Sequence, residues 1–567
     1  MASHADKPWL DSYTEWTAPN LDYSTATLTK IYADNITANG SKIATRFFGR
    51  TMTYAELDSE VRRAAAGLKS FGVKAGDRVA IMLPNCPQHV VAFFAAQLLG
   101  AVVAEHNPLY TAAELRPQFA DHGARVAIVW DKVAGTVNEL RDDTDITTVV
   151  SVDMTQAMPL PMRLALRLPL KRLREARAEL TAPATSTVPW EALVSSALVN
   201  NADQLEEAEV SPDTPALILY TSGTTGRPKG ALLTHANLCA NVTQGIAWVK
   251  DFQERDQRMV ATLPFFHSFG LTFSLTLAMK IGSEVILLPA PKIDLIMSAI
   301  KKYKPTFMPG VPTLFERIVA QAKEDNVDIS SLNIAFSGAS SLPVAVIDEW
   351  EKLTGGRLVE GYGLTETSPI LIGNPESADR RPGYIGLPFP DTDIRIANPE
   401  NLDEDMPYGE AGEILARGPQ VFGGYLDNPE ATEQAFHNGW FRTGDMGIME
   451  SDGFVKLVSR IKELIITGGF NVYPAEVEEV IRAHKDVEDV AVVGRPRPDG
   501  SEDVVACVTL TDGAKLDSEG LRAYAKKHLT AYKVPRTFYH FEELARDPMG
   551  KIRRREVQAD LLAQLED

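Results

Sequence analysis

Tyr220 to Gly230 reads YTSGTTGRPKG and follows Ala216–Leu219, ALIL, a short apolar run that reads as a buried strand. The loop places four hydroxyl side chains (Thr221, Ser222, Thr224, Thr225), three glycines (Gly223, Gly226, Gly230) and one lysine, Lys229, close together. Glycines let backbone N–H groups turn inward and approach an anion. The hydroxyls add donors and Lys229 adds a point charge. A strand feeding such a loop predicts a polyphosphate cradle rather than a flexible surface loop. The stretch departs from GxxxxGK[ST], because Gly230 follows Lys229 and Pro228 interrupts the run.

Upstream, Thr53 and Glu56 have capping-box spacing, and Leu57, Val61, Ala64, Ala65 and Leu68 follow with helical period. Gly49–Tyr54 reads as a short hairpin feeding that helix. Val79–Leu83 reads as a strand, Pro84 and Asn85 as a turn, and the next stretch as a helix to about Leu99. Ala101–Ala104 is the next strand. Thr111 and Glu114 offer a second capping box, and Arg125–Trp130 is a third strand. This alternation predicts an α/β class with a parallel sheet and helices on its faces.

Downstream, Leu263–Gly270, LPFFHSFG, sets His267 among aromatics, between a strand and an apolar helix, Leu271–Met279. By itself such a histidine reads as core. His235, at the start of a helix from Thr234, reads as structural or capping. Ile334–Pro343, IAFSGASSLP, is a strand ending in small residues. Gly338, Ala339 and Ser340 leave room for a planar base against the backbone. In GYGLTE, Gly361 precedes Tyr362, whose ring can stack on adenine. Thr365 can reach a phosphate, and Glu366 is a hard oxygen ligand suited to Mg²⁺. FRTGDMG, Phe441–Gly447, reads as a tight glycine-flanked turn whose Asp445 can accept two ribose hydroxyls, joined there by Arg460. The chain beyond Pro474 reads as a small unit of helices and strands, ending in ARDPMGKIRRREV. Taken alone, Lys551 in that stretch reads as part of a solvated basic tail.

These motifs, in this order from about Thr51 to Arg555, resemble those of the adenylate-forming enzymes: acyl-CoA synthetases, luciferases and nonribosomal adenylation domains. Within that superfamily the apolar segment after His267 and the 159–180 insertion resemble bacterial long-chain fatty acid–CoA ligases. The resemblance implies a large N-terminal body, 1–459, of layered α/β sheets with a small β-barrel-like subdomain. It implies a hinge at 460–463 with Lys462 as pivot, and a small mobile α+β C-terminal domain, 464–567. It makes Lys551 the catalytic lysine, although the threonine usual in the preceding residues is missing here. It puts His267 where acyl carboxylate and thiol meet, and Leu271, Phe273, Leu275 and Leu277 along the acyl pocket, residues that core packing explains equally. Gly468 and Gly469 become the loop beside the pantetheine thiol. The implied activity is ATP- and Mg²⁺-dependent: acyl-AMP and pyrophosphate form first, then acyl-CoA and AMP, with ATP and CoA as co-substrates and a fatty acid as acyl donor. A medium-chain synthetase, a ligase passing the acyl group to a carrier protein, and a silent nucleotide-binding scaffold are the alternatives.

The 567 residues exceed what one core supports. A net charge of −19 argues against nucleic-acid binding and fits a cytoplasmic protein. Cys86, Cys239 and Cys507 fit neither a disulfide framework nor a metal spacing. The N-terminus lacks a signal-peptide pattern. One segment departs in composition: PLPMRLALRLPLKRLREARAEL, Pro159–Leu180, alternates six basic residues with Met, Leu and Ala. It reads either as a basic amphipathic element resting on the inner face of an anionic membrane, or as a solvated helical insertion. Pro169 argues against one continuous helix. Oligomeric state leaves no signal in the sequence.

Overall fold

The computed structural model describes residues 4–23, 27–195, 205–221, 228–338, 342–460, 463–467, 470–497, 502–547 and 550–566. The chain forms two compact units, one of Tyr13–Thr392 with Arg417–Gly439, the other of Met1–Ser12, Asp393–Ala416 and Trp440–Asp567.

The larger unit carries two sheets. In the first, strands run Val188–Pro189, Thr148–Val152, Val126–Trp130, Arg78–Met82, Val102–Glu105, Pro215–Thr221 and Lys229–Thr234 across the sheet. All pairings are parallel except the last. The second has nine strands, with a parallel interior that includes Arg357–Gly363, Ile334–Ser337, Phe307–Gly310, Arg258–Ala261 and Glu284–Leu287. Interior strands such as Val79–Met82 are fully buried, which is why they are continuous apolar runs rather than alternating ones.

Local signals in the sequence hold. Thr53 accepts from the Glu56 N–H (3.2 Å) while Glu56 accepts from the Thr53 N–H (2.7 Å), opening helix Tyr54–Ser70. Thr111 and Glu114 do the same for Ala112–His122. Thr234 and Asn237 form a third such box, for His235–Trp248. His235 is structural: its Nδ1 accepts the Leu28 N–H at 3.2 Å, and burial lowers its pKa to about 4.

Two expectations need correction. The apolar segment after His267 is not one α-helix. Ser268–Gly270 leads into a π-helical turn, Leu271–Thr276, before α-helix Leu277–Ile281. Two of its buried hydroxyls find carbonyls: Thr276 donates to Thr272 O (3.1 Å), and Thr272 to Ser368 O (2.9 Å). Such turns recur where helices meet functional sites. FRTGDMG is likewise not a turn but part of strand Trp440–Met449. Gly444 takes φ +70°, and irregular register on both flanks lets the strand bend there without ending.

The smaller unit contains an antiparallel, barrel-like sheet including Asp393–Asn398, Ala411–Arg417, Trp440–Met449 and Val455–Arg460. It also contains the three-stranded sheet Val487–Pro496, Glu502–Leu510 and Thr537–His540. Helices Pro474–Arg482 and Ser518–His528 bury their apolar residues against one core of that sheet, and Arg554–Glu566 against another. Segment 159–180 breaks at Pro169 into helices Leu160–Ala165 and Lys171–Leu180. Among the described residues no helix is long and apolar enough to cross a membrane.

Candidate active site

In the larger unit the described ends of the predicted cradle belong to two antiparallel strands. Strand Pro215–Thr221 pairs with Lys229–Thr234, so Thr221 stands opposite Lys229 and Tyr220 opposite Gly230. The Tyr220 hydroxyl fixes the loop entrance, donating to Asp121 (2.8 Å) and to Gln118 O (3.0 Å). Ser222, Gly223, Thr224, Thr225 and Gly226 lie outside the described residues.

Glu366 sits beside Thr221. Its 3-10 turn, Thr365–Thr367, buries the carboxylate, which accepts from the Thr221 hydroxyl (3.4 Å) and the Tyr425 hydroxyl (2.9 Å). Tyr425 also lies under Lys229, whose Nζ is 5.2 Å from the ring centroid. Its backbone is held by a bridge to Ala231 and by Leu426 N–H to Gly230 O at 2.8 Å. Burial and Glu366 push the Tyr425 phenol far above the usual tyrosine range, so it remains a donor. One tyrosine thus joins the lysine, the carboxylate and the hairpin. A single buried carboxylate flanked by hydroxyls suits Mg²⁺, which keeps waters and substrate phosphates as its other ligands.

The remaining residues of this unit lie at the carboxyl ends of parallel strands of one sheet, where open α/β sheets bind ligands. His267 follows Arg258–Ala261, Gly338 follows Ile334–Ser337, and Gly361 lies within Arg357–Gly363 next to it. His267 is half-buried and caps its own turn, Nδ1 accepting the Phe269 N–H at 3.3 Å. Phe269 packs on Gly338, where a Cβ would meet the ring at 2.8 Å. Tyr362 is buried, and Thr365 is half-buried on the turn that carries Glu366. Ala339 lies outside the described residues.

Two supports escaped the sequence reading. Asn85 is buried and holds the segment leading to His267, donating to Ala261 O (3.2 Å) and Leu263 O (2.8 Å) and accepting from Phe265 N–H (2.9 Å). Glu360 accepts the Leu342 N–H at 2.9 Å beside Gly361, and burial raises its pKa to about 7. The half-buried Tyr425 was also missed. Its signals were slight: Gly423 and Gly424 before it and Pro429 soon after.

The smaller unit gathers Asp445, Arg460 and Lys551. Asp445 and Arg460 are register partners on neighbouring strands, with Arg460 Nε 3.2 Å from the buried Asp445 carboxylate. Lys551 is held by a tight loop: its N–H donates to Asp547 Oδ1 (2.9 Å), its carbonyl accepts the Asp547 N–H (2.8 Å), and Gly550 supplies φ +81°. Burial, reinforced by Arg460, lowers the Lys551 pKa to about 8 against the opposing pull of Asp445 and Glu463. The arginine run beyond it is only partly a solvated tail. Arg553 and Arg555 are exposed, but Arg554 makes two 2.7 Å bonds to the buried Glu478 and also pairs with Glu463. Lys462, Gly468 and Gly469 lie outside the described residues.

Known proteins supply an independent comparison. Residues 32–426 match the AMP-binding enzyme family, and residues 476–551 match the AMP-binding enzyme C-terminal domain. A Bacillus subtilis long-chain-fatty-acid–CoA ligase is 36% identical over 556 residues, covering 98% of both chains. A feruloyl-CoA synthase of Amycolatopsis is 34% identical over 519 residues, 91% of this chain and 95% of that one. The solved structure of ATP-bound MatB from Rhodopseudomonas palustris superposes with a TM-score of 0.79 at 28% identity, covering 94% of this chain and 99% of that one. With both its large and its C-terminal segments matched, and relatives above 30% identity along nearly all its length, the chain belongs to the adenylate-forming AMP-binding enzymes and is an acyl-CoA ligase of that family.

Proposed function

We propose that this ligase activates long-chain fatty acids with MgATP and transfers them to CoA. The observation that carries the reading is the cluster of Thr221, Lys229, Glu366 and Tyr425 at the hairpin mouth, in a chain 36% identical to a long-chain ligase. The buried, wholly apolar side chains of Leu271, Phe273, Leu275 and Leu277 support an aliphatic substrate.

The mechanism follows from charge. A carboxylate approaching a triphosphate is a weak nucleophile facing a polyanion. Lys229 and the loop hydroxyls hold the β and γ phosphates, and Gly338, Gly361 and Tyr362 frame adenine. Asp445 takes the ribose hydroxyls, oriented by Arg460. Glu366 would hold Mg²⁺, which offsets repulsion and stabilises the departing pyrophosphate when bound. Lys551 supplies the cation for charge developing at the α-phosphate during in-line attack. The boundary belongs to the same proposal: 1–459 as adenylating body, 460–463 as hinge on Lys462, 464–567 as the moving domain. Its movement withdraws Lys551 and brings Gly468 and Gly469 to the thiol, which attacks the mixed anhydride near His267 to give acyl-CoA and AMP.

Pyrophosphate release across carboxylates from acetate to oleate, with ferulate alongside and with and without CoA, tests the reading. A maximum at long chains with acyl-CoA and AMP as products is expected. A maximum at ferulate, which the Amycolatopsis relative makes the second reading, would replace the fatty acid with an aromatic acid.

A further inference from the structure

We propose that the helical pair 160–180 is a docking surface for an anionic lipid membrane, a property separate from which acid the enzyme activates. Among the described residues ten large apolar side chains are exposed, and five of them lie between 160 and 170: Leu160 (62%), Met162 (40%), Leu164 (55%), Leu168 (50%) and Leu170 (59%). Exposed apolar residues scattered singly are ordinary, whereas a cluster marks an interaction site. No residue of either helix is buried, so the pair contributes nothing to the core that would explain its leucines.

Charge selects the occupant. The chain as a whole carries −19, yet 159–180 holds six cations and two carboxylates. Arg167, Lys171, Arg172, Arg174 and Arg177 are exposed alongside the leucines. Aliphatic side chains interleaved with arginines fit the boundary between acyl chains and anionic headgroups, the leucines entering and the guanidinium groups remaining at phosphate level.

The element is also held in place, so docking costs little ordering. Its start follows the buried Met158, and Arg163 donates to Gln156. Its end is tied down by Trp130 Nε1 to Leu180 O (2.8 Å), Lys132 Nζ to Glu179 O (3.2 Å) and Thr181 to Asp131. The stretch between these anchors presents the apolar side chains to solvent.

Flotation of the full chain with phosphatidylcholine vesicles, with and without phosphatidylglycerol, tests the proposal. Binding to the anionic vesicles is expected to weaken at high salt and to be slight on phosphatidylcholine alone. Reversing three cations (Arg167→Glu, Lys171→Glu, Arg174→Glu) should weaken it by roughly a hundredfold. Replacing Leu164, Leu168 and Leu170 by Ser should reduce it with the charges intact. Both variants should keep pyrophosphate release in vesicle-free solution, which shows that they fold. Absence of wild-type binding to anionic vesicles, or binding unchanged in both variants, would overturn the proposal. So would leucine-dependent self-association in sedimentation without vesicle binding, which would make the patch an interface between copies.

Discussion

In the proposed mechanism the hairpin mouth of the larger unit and the Lys551 cluster of the smaller one both meet anions, by opposite means. At the hairpin the carboxylate of Glu366 accepts from two hydroxyls, and Lys229 lies over the Tyr425 ring. Around Lys551, Asp445, Arg460, Glu463 and Arg554 all bear charge, and the lysine is left with a pKa of about 8. The first arrangement sets one carboxylate against hydroxyl donors. The second is a balance, sensitive to removal of any member. The lesson is that a binding site can be made of locked neutral donors, while a group that must act in only one half-reaction stands in a charge network that can be tipped.

Breaking the balance has the largest expected effect. Arg554→Ala strands the buried Glu478 without its cation, and should destabilise the fold by about 3–5 kcal/mol in urea unfolding. The pair Arg554→Met with Glu478→Leu should recover most of that, since it removes both charges. An unchanged unfolding midpoint in the single variant would show the pair to be solvated.

The fixed site is probed by Tyr425→Phe, which deletes one hydroxyl and keeps the ring under Lys229. Loss of a hydrogen bond to a charged group should raise KM for MgATP by roughly ten- to hundredfold with little change in unfolding. A fall in Tm alongside the rise in KM would instead make Tyr425 a packing residue.

The smallest effect sharpens the contrast through pH. In the proposed mechanism Lys551 works as the ammonium, and its pKa is lowered from an ordinary 10.5 to about 8. Adenylation should therefore hold steady just above neutrality and then fall as pH rises through about 8, where an unperturbed lysine would carry it to about 10.5. MgATP binding, resting on Glu366 and the Tyr425 donor, should not share that fall. A flat rate profile to pH 10 would remove Lys551 from the rate-setting charge balance.

Legibility in the sequence followed the distance over which each feature is decided. The capping boxes at Thr53 and Thr111 are settled within four residues, and the structure has both. The parallel sheet was legible because its buried strands are continuous apolar runs separated by helical periods. Asp445 misled because glycines on both sides of an acid look like a turn, while pairing with Val455–Arg460 makes the segment a strand. Tyr425 and Glu366 are 59 residues apart, and Arg554 and Glu478 are 76 apart. Neither pair has a local signature, so both were invisible until the chain folded. The π-helical turn after His267 was hidden for another reason: apolar composition predicts burial but not helical pitch.

Separate assay of the two half-reactions in Lys551→Ala tests the division of labour most directly. Pyrophosphate release from MgATP and a fatty acid should fall by about 10²–10³-fold. Conversion of supplied acyl-adenylate and CoA to acyl-CoA should stay close to the wild-type rate. Full adenylation with thiolation lost would contradict the account, because the lysine would then serve the half-reaction from which it is supposed to withdraw.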